Sequence, residues 1–271
     1  MVTGSAGGIG TALCAALMAR GYDLILTGSN AEKLAAQAAA LGANTRTIVA
    51  DLTVADDCDR LCAAIAAEPR LTLLVNNAGI VEPGEVIDVS AAALNRHIAI
   101  NLVAPMLLTQ AAARVMAAQR RGTILSVLSL ASVVSLPGGA AYNASKFGLR
   151  GFLIAASQEL APHGVTVCNV LPGAVDTAML RHEATHGGSP LNFLNKDVLR
   201  PAQVVAACLR ALDRGTLETM LPTGDAITSR ILGAFPALQR YVLPRLLKSG
   251  ERGLDRFLSE RGLTRAAAPP S

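Results

Sequence analysis

A tyrosine and a lysine four positions apart, Tyr142 and Lys146, with Ser129 thirteen positions upstream, are the residues of this sequence best suited to acid–base chemistry. A free phenol titrates near pH ~10 and is a weak proton-transfer group at neutrality, but a neighbouring ammonium favours phenolate and lowers that value. The stretch from Tyr142 to Glu159 reads as a helix, and residues four apart share a helix face, so the phenol and the amine can reach one cleft. Such a set suits a carbon–oxygen centre. Hydride arriving at a carbonyl builds negative charge on oxygen, which calls for a hydrogen-bond donor (Ser129) and an acid (Tyr142). The plainer alternative is an exposed surface pair and an ordinary strand-end hydroxyl.

A hydride needs a carrier, and the sequence offers a loop to hold one. Thr3 to Gly10, TGSAGGIG, follows a short strand and opens an Ala-rich helix expected over Thr11–Arg20. Gly4, Gly8 and Gly10 are the spaced glycines, and the N–H groups at that helix end would face a pyrophosphate. No GK[ST] follows, which disfavours a nucleotide-triphosphatase loop. After the second expected strand, Ser29-Asn30 carries no carboxylate to repel a 2′-phosphate, so NADP(H) is preferred, with Ser29, Asn30 and Lys33 as donors. The loop lacks an arginine, and NAD(H) stands as the alternative cofactor.

These sites need a scaffold. Strands are expected at Met1–Gly4, Asp23–Thr27, Thr47–Ala50, Leu71–Asn76, Gly122–Ser129 and Val165–Val170, alternating with helices. Right-handed crossovers wind that rhythm into an α/β fold, a Rossmann-like, doubly wound parallel sheet flanked by helices, with ligands beyond the strands' carboxyl ends. A helix from Pro201 and a strand near Leu217–Leu221 follow. Apolar residues at helical spacing (Ile227, Ile231, Leu232, Phe235, Leu238, Val242) then predict a helical C-terminal extension. One domain is expected: a catalytic part over 1–225 with a substrate loop at 179–200, the extension over 226–264 and a disordered tail over 265–271.

The motifs together resemble the short-chain dehydrogenase/reductase family: TGxxxGIG at Thr3–Gly10, NNAG at Asn76–Gly79, YxxxK at Tyr142–Lys146 and PGxVxT at Pro172–Thr177. The resemblance covers residues 1 to about 225. It implies that Ser129, Tyr142, Lys146 and Asn101 are catalytic, Asn101 holding a water that relays protons to Lys146, which also binds the nicotinamide ribose. It further implies cofactor contacts from Gly4, Ser5, Gly8, Ile9 and Gly10, from Asp51 and Leu52 near the adenine, from Asn77, Ala78 and Gly79, and from Pro172, Gly173, Val175 and Thr177, the last at the carboxamide. Asn101 as a helix-capping amide and Asp51 as an N-cap of the next helix are the structural alternatives. A nucleotide-binding regulator or scaffold without turnover is the rival function.

Composition narrows the classes. With 51% hydrophobic residues, 3% aromatic and no Trp, the core must be aliphatic. Five cysteines without CxxC pairs read as reduced thiols, and with no signal peptide the expected compartment is the cytoplasm. No apolar run is expected to span a membrane. Of the net charge of +4, Lys196–Arg265 carries +5, with 12 Lys/Arg against 7 Asp/Glu, and the rest of the chain −1. Without aromatic interleaving that excess does not suggest nucleic acid. The basic, apolar tail departs from the family's VDGG-like ending and suggests a fairly apolar carbonyl or alcohol substrate, with the tail as lid, dimer-packing element or membrane-surface contact. His182-Glu183-Ala184-Thr185-His186 spells HExxH, a zinc-hydrolase signal, but runs into Gly187-Gly188-Ser189-Pro190 and is read as a chance match, with no metal expected. A homodimer or homotetramer through Ala91–Ala118 and Tyr142–Ala161 is expected from the family. Met1 lies almost on the glycine loop, so either a segment precedes it or the first strand is truncated.

Overall fold

The computed structural model describes residues 1–194 and 198–266. Seven strands, β1 (Val2–Thr3), β2 (Leu24–Gly28), β3 (Thr45–Val49), β4 (Leu73–Asn76), β5 (Gly122–Val127), β6 (Val165–Pro172) and β7 (Glu218–Leu221), form one parallel sheet. Their order is β3-β2-β1-β4-β5-β6-β7. The direction of winding reverses between β1 and β4, and a crevice opens beyond the strand ends at such a switch point. The central strands are mostly apolar because helices cover both faces, and β4, Leu-Leu-Val-Asn, is wholly buried.

Alternation along the strands sorts the core into two layers. Ile25, Leu74 and Ile124 pack with Leu61 of α3 (Ala55–Ala66), and with Leu108 and Leu153 of the long helices described below. Their neighbours Leu26, Val75 and Leu125 point the other way. They meet α1 (Gly8–Met18), α2 (Ala31–Leu41) and, further along the chain, the helix Pro201–Arg214, through Leu13, Leu34 and Val204. Each such buried aliphatic side chain contributes about 1.5–3 kcal/mol. All five cysteines are unpaired.

Several expectations shift. The first helix begins at Gly8, not Thr11, because Gly7 already occupies its N-cap. The stretch expected as one helix over Ala91–Ala118 is α4 (Ala91–Ile98), a π-helical turn at Ala99–Val103, and α5 (Ala104–Gln119). Contrary to the membrane expectation, this 29-residue stretch is long and apolar enough to cross a bilayer by length and composition. In this fold one face of it packs into the core, with Leu108, Ala112 and Met116 fully buried against the sheet. The segments were apolar separately, and only their continuity through the π turn gives the full length. Next come α6 (Ala140–Leu160), α7 (Ala178–Thr185) and α8 (Pro201–Arg214).

The C-terminal extension is α9 (Thr223–Ala234) and α10 (Pro236–Glu260). A third apolar cluster, Leu180, Ala184, Phe193, Leu254, Phe257 and Leu258, ties α10 to α7 and to the turn at Pro190–Phe193. Close approach is possible because α10 presents Gly250 and Gly253 there. A Cβ on either would collide with the carbonyl oxygen of Pro190 or Phe193. The expected disordered tail is corrected at its first two residues: Arg265 pairs with Glu251 at 2.7 Å and Asp255 at 2.8 Å, and Ala266 donates its N–H to the Thr185 carbonyl at 2.7 Å. Residues 267–271 lie outside the described residues.

Candidate active site

The loops after β1 and β4 are locked together. Thr3 Oγ1 accepts the N–H groups of Asn77 and Ala78 at 3.0 Å, and Asn77 Nδ2 donates to the carbonyls of Thr3 and Gly4 at 3.0 Å. Gly4 has φ +58° and lies against Ala78, whose Cα would be 2.8 Å from a Cβ at position 4. A Cβ on Gly10 would strike the Gly4 carbonyl, and one on Gly8 would come within 2.9 Å of the Thr177 methyl. Glycine is required at these points so that backbone N–H groups at the start of α1, which have no intrahelical partner, remain approachable. Ser5 is the exception among the expected contacts. The whole residue is buried, with its hydroxyl unpartnered, its N–H donated to the Thr27 carbonyl at 3.1 Å and its carbonyl accepting from Gln37 Nε2 at 2.8 Å, so it supports the loop from within.

Ser29 and Asn30 are exposed at the end of β2, and Asp51 is exposed with half-buried Leu52 just past β3. Asn30 Oδ1 caps α2 by accepting the Lys33 N–H at 2.8 Å. Asp51 Oδ1 accepts the N–H and hydroxyl of Thr53 at 2.9 and 2.8 Å. It therefore forms a local turn and does not cap α3, whose N-cap is Val54. These groups and the glycine loop form a row along the carboxyl ends of β1 to β3.

The row leads to a cavity of about 480 Å³, of a size to enclose a small organic ligand. Ser129, Tyr142 and Lys146 line it together, with Ile9, Asn77 and Gly79 on one wall and Pro172, Gly173, Val175 and Thr177 on another. Thr177 Oγ1 also caps α7, accepting the Leu180 N–H at 3.4 Å. Ser129 Oγ accepts the Ala131 N–H at 3.1 Å, and Ser129 and Tyr142 face the same cavity. Lys146 Nζ donates to the Val127 carbonyl at 3.5 Å and sits 5.6 Å from the Tyr142 ring centre.

Electrostatics at this site runs against the simplest expectation. Burial, then the charge of Glu183, raises the Tyr142 phenol above its ordinary value, partly offset by the nearby Ser129 hydroxyl. Burial also brings Lys146 down to about 8. Desolvation outweighs the ammonium's pull here, since both charged forms lose water on entering the fold.

Asn101 does not line the cavity. It is buried in the π turn, where its amide accepts the Ile80 N–H and donates to the Ile80 carbonyl, both at 2.9 Å, and donates to Ser145 Oγ at 3.3 Å. It is thus a clamp on the loop after β4, not a helix cap. Gly79 lies between it and the lysine: a Cβ there would be 3.2 Å from Asn101 Oδ1 and 3.6 Å from Lys146 Nζ.

The HExxH segment divides. His182 and His186 are exposed with rings stacked at 4.0 Å, and His186 Nδ1 lies 2.9 Å from the His182 carbonyl. Glu183 is on the other face and lines the cavity. Among the described residues no three His, Cys, Asp or Glu side chains gather as a metal set. Glu183 is the cavity residue whose role the sequence reading missed. Its signal is the spacing Leu180, Glu183, Ala184, which puts it on the inward face of α7.

The absence of side chains at the glycines and the open row beyond β1 to β3 fit a dinucleotide lying along the strand ends, with its reactive ring at the cavity. The short chain dehydrogenase family model matches residues 1–187. The chain is 36% identical over 180 residues to Nodulation protein G of Rhizobium sp. (strain N33), covering 66% of this chain and 74% of that one. It is 37% identical over 179 residues to the 3-oxoacyl-[acyl-carrier-protein] reductase FabG of Rickettsia bellii, covering 66% and 73%. A short-chain dehydrogenase from Sphingobium yanoikuyae, solved in complex with NADPH, superposes with a TM-score of 0.77 at 28% identity, over 88% of this chain and 94% of that one.

Proposed function

The chain belongs to the short-chain dehydrogenase family, and from that premise we propose that it is an NADP(H)-preferring reductase of ketones or aldehydes that also oxidises secondary alcohols, on fairly apolar substrates. It is an NAD(P)-dependent oxidoreductase acting on CH–OH groups. The observation that carries the finer reading is the convergence of Ser129, Tyr142 and Lys146 on one cavity with the wall that ends at Thr177.

When bound, the nicotinamide supplies the hydride for reduction or takes it up in oxidation. The Ser129 hydroxyl donates a hydrogen bond to the carbonyl oxygen as charge builds there, and the Tyr142 phenol delivers the proton. Lys146, an ammonium at neutral pH with its pKa near 8, holds positive charge beside the phenolate that Tyr142 leaves behind. Asn101 holds Ile80, and with it Gly79, against the lysine. Ser29, Asn30 and Lys33, with no carboxylate among them, support binding of the 2′-phosphate, as does the likeness to the NADPH-bound Sphingobium structure.

The test is a 340 nm absorbance assay with NADPH and with NADH against ketones, aldehydes and a 3-oxoacyl thioester, the substrate class in the Rickettsia relative's name. Faster loss of NADPH than NADH with at least one apolar carbonyl is expected. No carbonyl-dependent oxidation of either cofactor would overturn the reading. The five unpaired thiols support a reducing, cytoplasmic setting.

A further inference from the structure

Glu183 lines the same cavity as Ser129 and Tyr142, among the apolar side chains of Leu136, Met179 and Leu191. Its Oε2 accepts a hydrogen bond from Asn192 Nδ2 at 3.2 Å, and among the described residues no cation pairs with it. The Ser189 hydroxyl, on the same stretch of chain and also lining the cavity, is buried without any partner. The Glu183 carboxyl therefore faces an apolar cavity with fewer hydrogen bonds than it can make, and the buried Ser189 hydroxyl beside it makes none. Unmet polar groups in such surroundings carry a desolvation cost that a complementary ligand group removes.

Burial pushes the Glu183 carboxyl up to about 7, so near neutrality it is divided between acid and carboxylate. A hydroxyl answers both states, because it can donate to the carboxylate and accept from the acid. An ammonium answers only the carboxylate. Glu183 and Tyr142 line the same cavity of about 480 Å³, so a group held by Glu183 belongs to the same small substrate whose carbonyl meets Tyr142.

We propose that Glu183 recognises a hydroxyl on the carbon next to the reacting carbonyl, so that α-hydroxy ketones, and vicinal diols in the reverse direction, are a preferred substrate class. The proposal rests on the reading of Tyr142 as the proton donor to that carbonyl. In it Glu183 touches substrate but takes no part in the transfer, the hydride and proton following the path already described.

The experiment compares acetophenone with 2-hydroxyacetophenone in wild type, Glu183→Leu and Glu183→Gln, reading kcat/KM with NADPH, and measures binding of each ketone to the NADP⁺-loaded enzyme by calorimetry. Glu183→Leu is expected to lower kcat/KM for the hydroxy ketone about 10- to 100-fold more than for the plain ketone, the size of a hydrogen bond to a charged group. Glu183→Gln, which keeps an accepting oxygen, is expected to retain most of the discrimination. Equal changes for both ketones in Glu183→Leu would overturn the proposal, as would equal or undetectable binding of the two ketones by wild type. Absence of turnover with both ketones would count against the function proposed above, and the binding preference would still decide the role of Glu183.

Discussion

Burial and hydrogen bonding set the charge of each residue at the site, and sequence spacing foretells only part of this. Tyr142, Lys146 and Ser129 were legible because their separations, four and thirteen residues, place them at one end of a helix and one strand end. Their electrostatics was not legible. Desolvation depends on what covers the cavity in the folded chain, and it is burial that brings Lys146 to about 8 and raises Tyr142. Glu183 was hidden for a related reason: in the sequence it belongs to an HExxH string, and only the helix phase separates it from the histidines. At the cofactor end, Ser29 is exposed and its neighbour Asn30 already spends its oxygen on the α2 cap. Ser29→Asp would set a carboxylate against a 2′-phosphate. The KM for NADP is expected to rise at least about 10-fold, given the size of like-charge repulsion near a surface, with a much smaller change for NAD. Parallel increases for both cofactors would show that position 29 does not face the phosphate.

The elements were read well where hydrophobic period decides and less well where a local hydrogen bond does. All six early strands and the strand after α8 lie where alternation and β-branched runs put them, within a few residues. The π turn at Ala99–Val103 was not foreseeable, because its apolar pattern continues that of a normal helix. Within it Asn101 points its amide at Ile80 across the loop instead of facing solvent. The dense contact of α10 was likewise hidden, since glycine in a helix reads only as a weak helix former. Gly253 is there because backbone meets backbone at Phe193. Gly253→Ala is expected to overpack that contact at a cost of about 1–3 kcal/mol, lowering the thermal midpoint by several degrees. Because Leu243, Leu246 and Ser249 of α10 line the cavity, KM for an apolar carbonyl should rise with it. An unchanged melting curve would mean that α10 is not held by this contact.

At the scale of the whole molecule, the doubly wound sheet could be read from the order of the elements, since few topologies satisfy a βα rhythm with right-handed crossovers. What covers the outer helices could not. Only 33% of the most apolar window of Ala91–Gln119 is buried within the chain, and Leu94, Val103, Leu107 and Phe147 are exposed on α4, the π turn, α5 and α6. We propose that a second copy of the chain covers this face. Sedimentation velocity is expected to show a dimer or tetramer, and Leu107→Arg to shift it toward monomer; a monomeric wild type would refute the assignment.

The central claim is that the phenol of Tyr142 moves the proton while the cofactor moves the hydride. Its most direct test is the steady-state rate of Tyr142→Phe, followed at 340 nm on a carbonyl that the wild-type enzyme reduces. The fold should be intact, since only a hydroxyl is removed. A loss of about 10²- to 10⁴-fold in kcat is expected, the usual worth of a positioned acid–base group. A variant that reduces the same carbonyl at the wild-type rate would contradict the account.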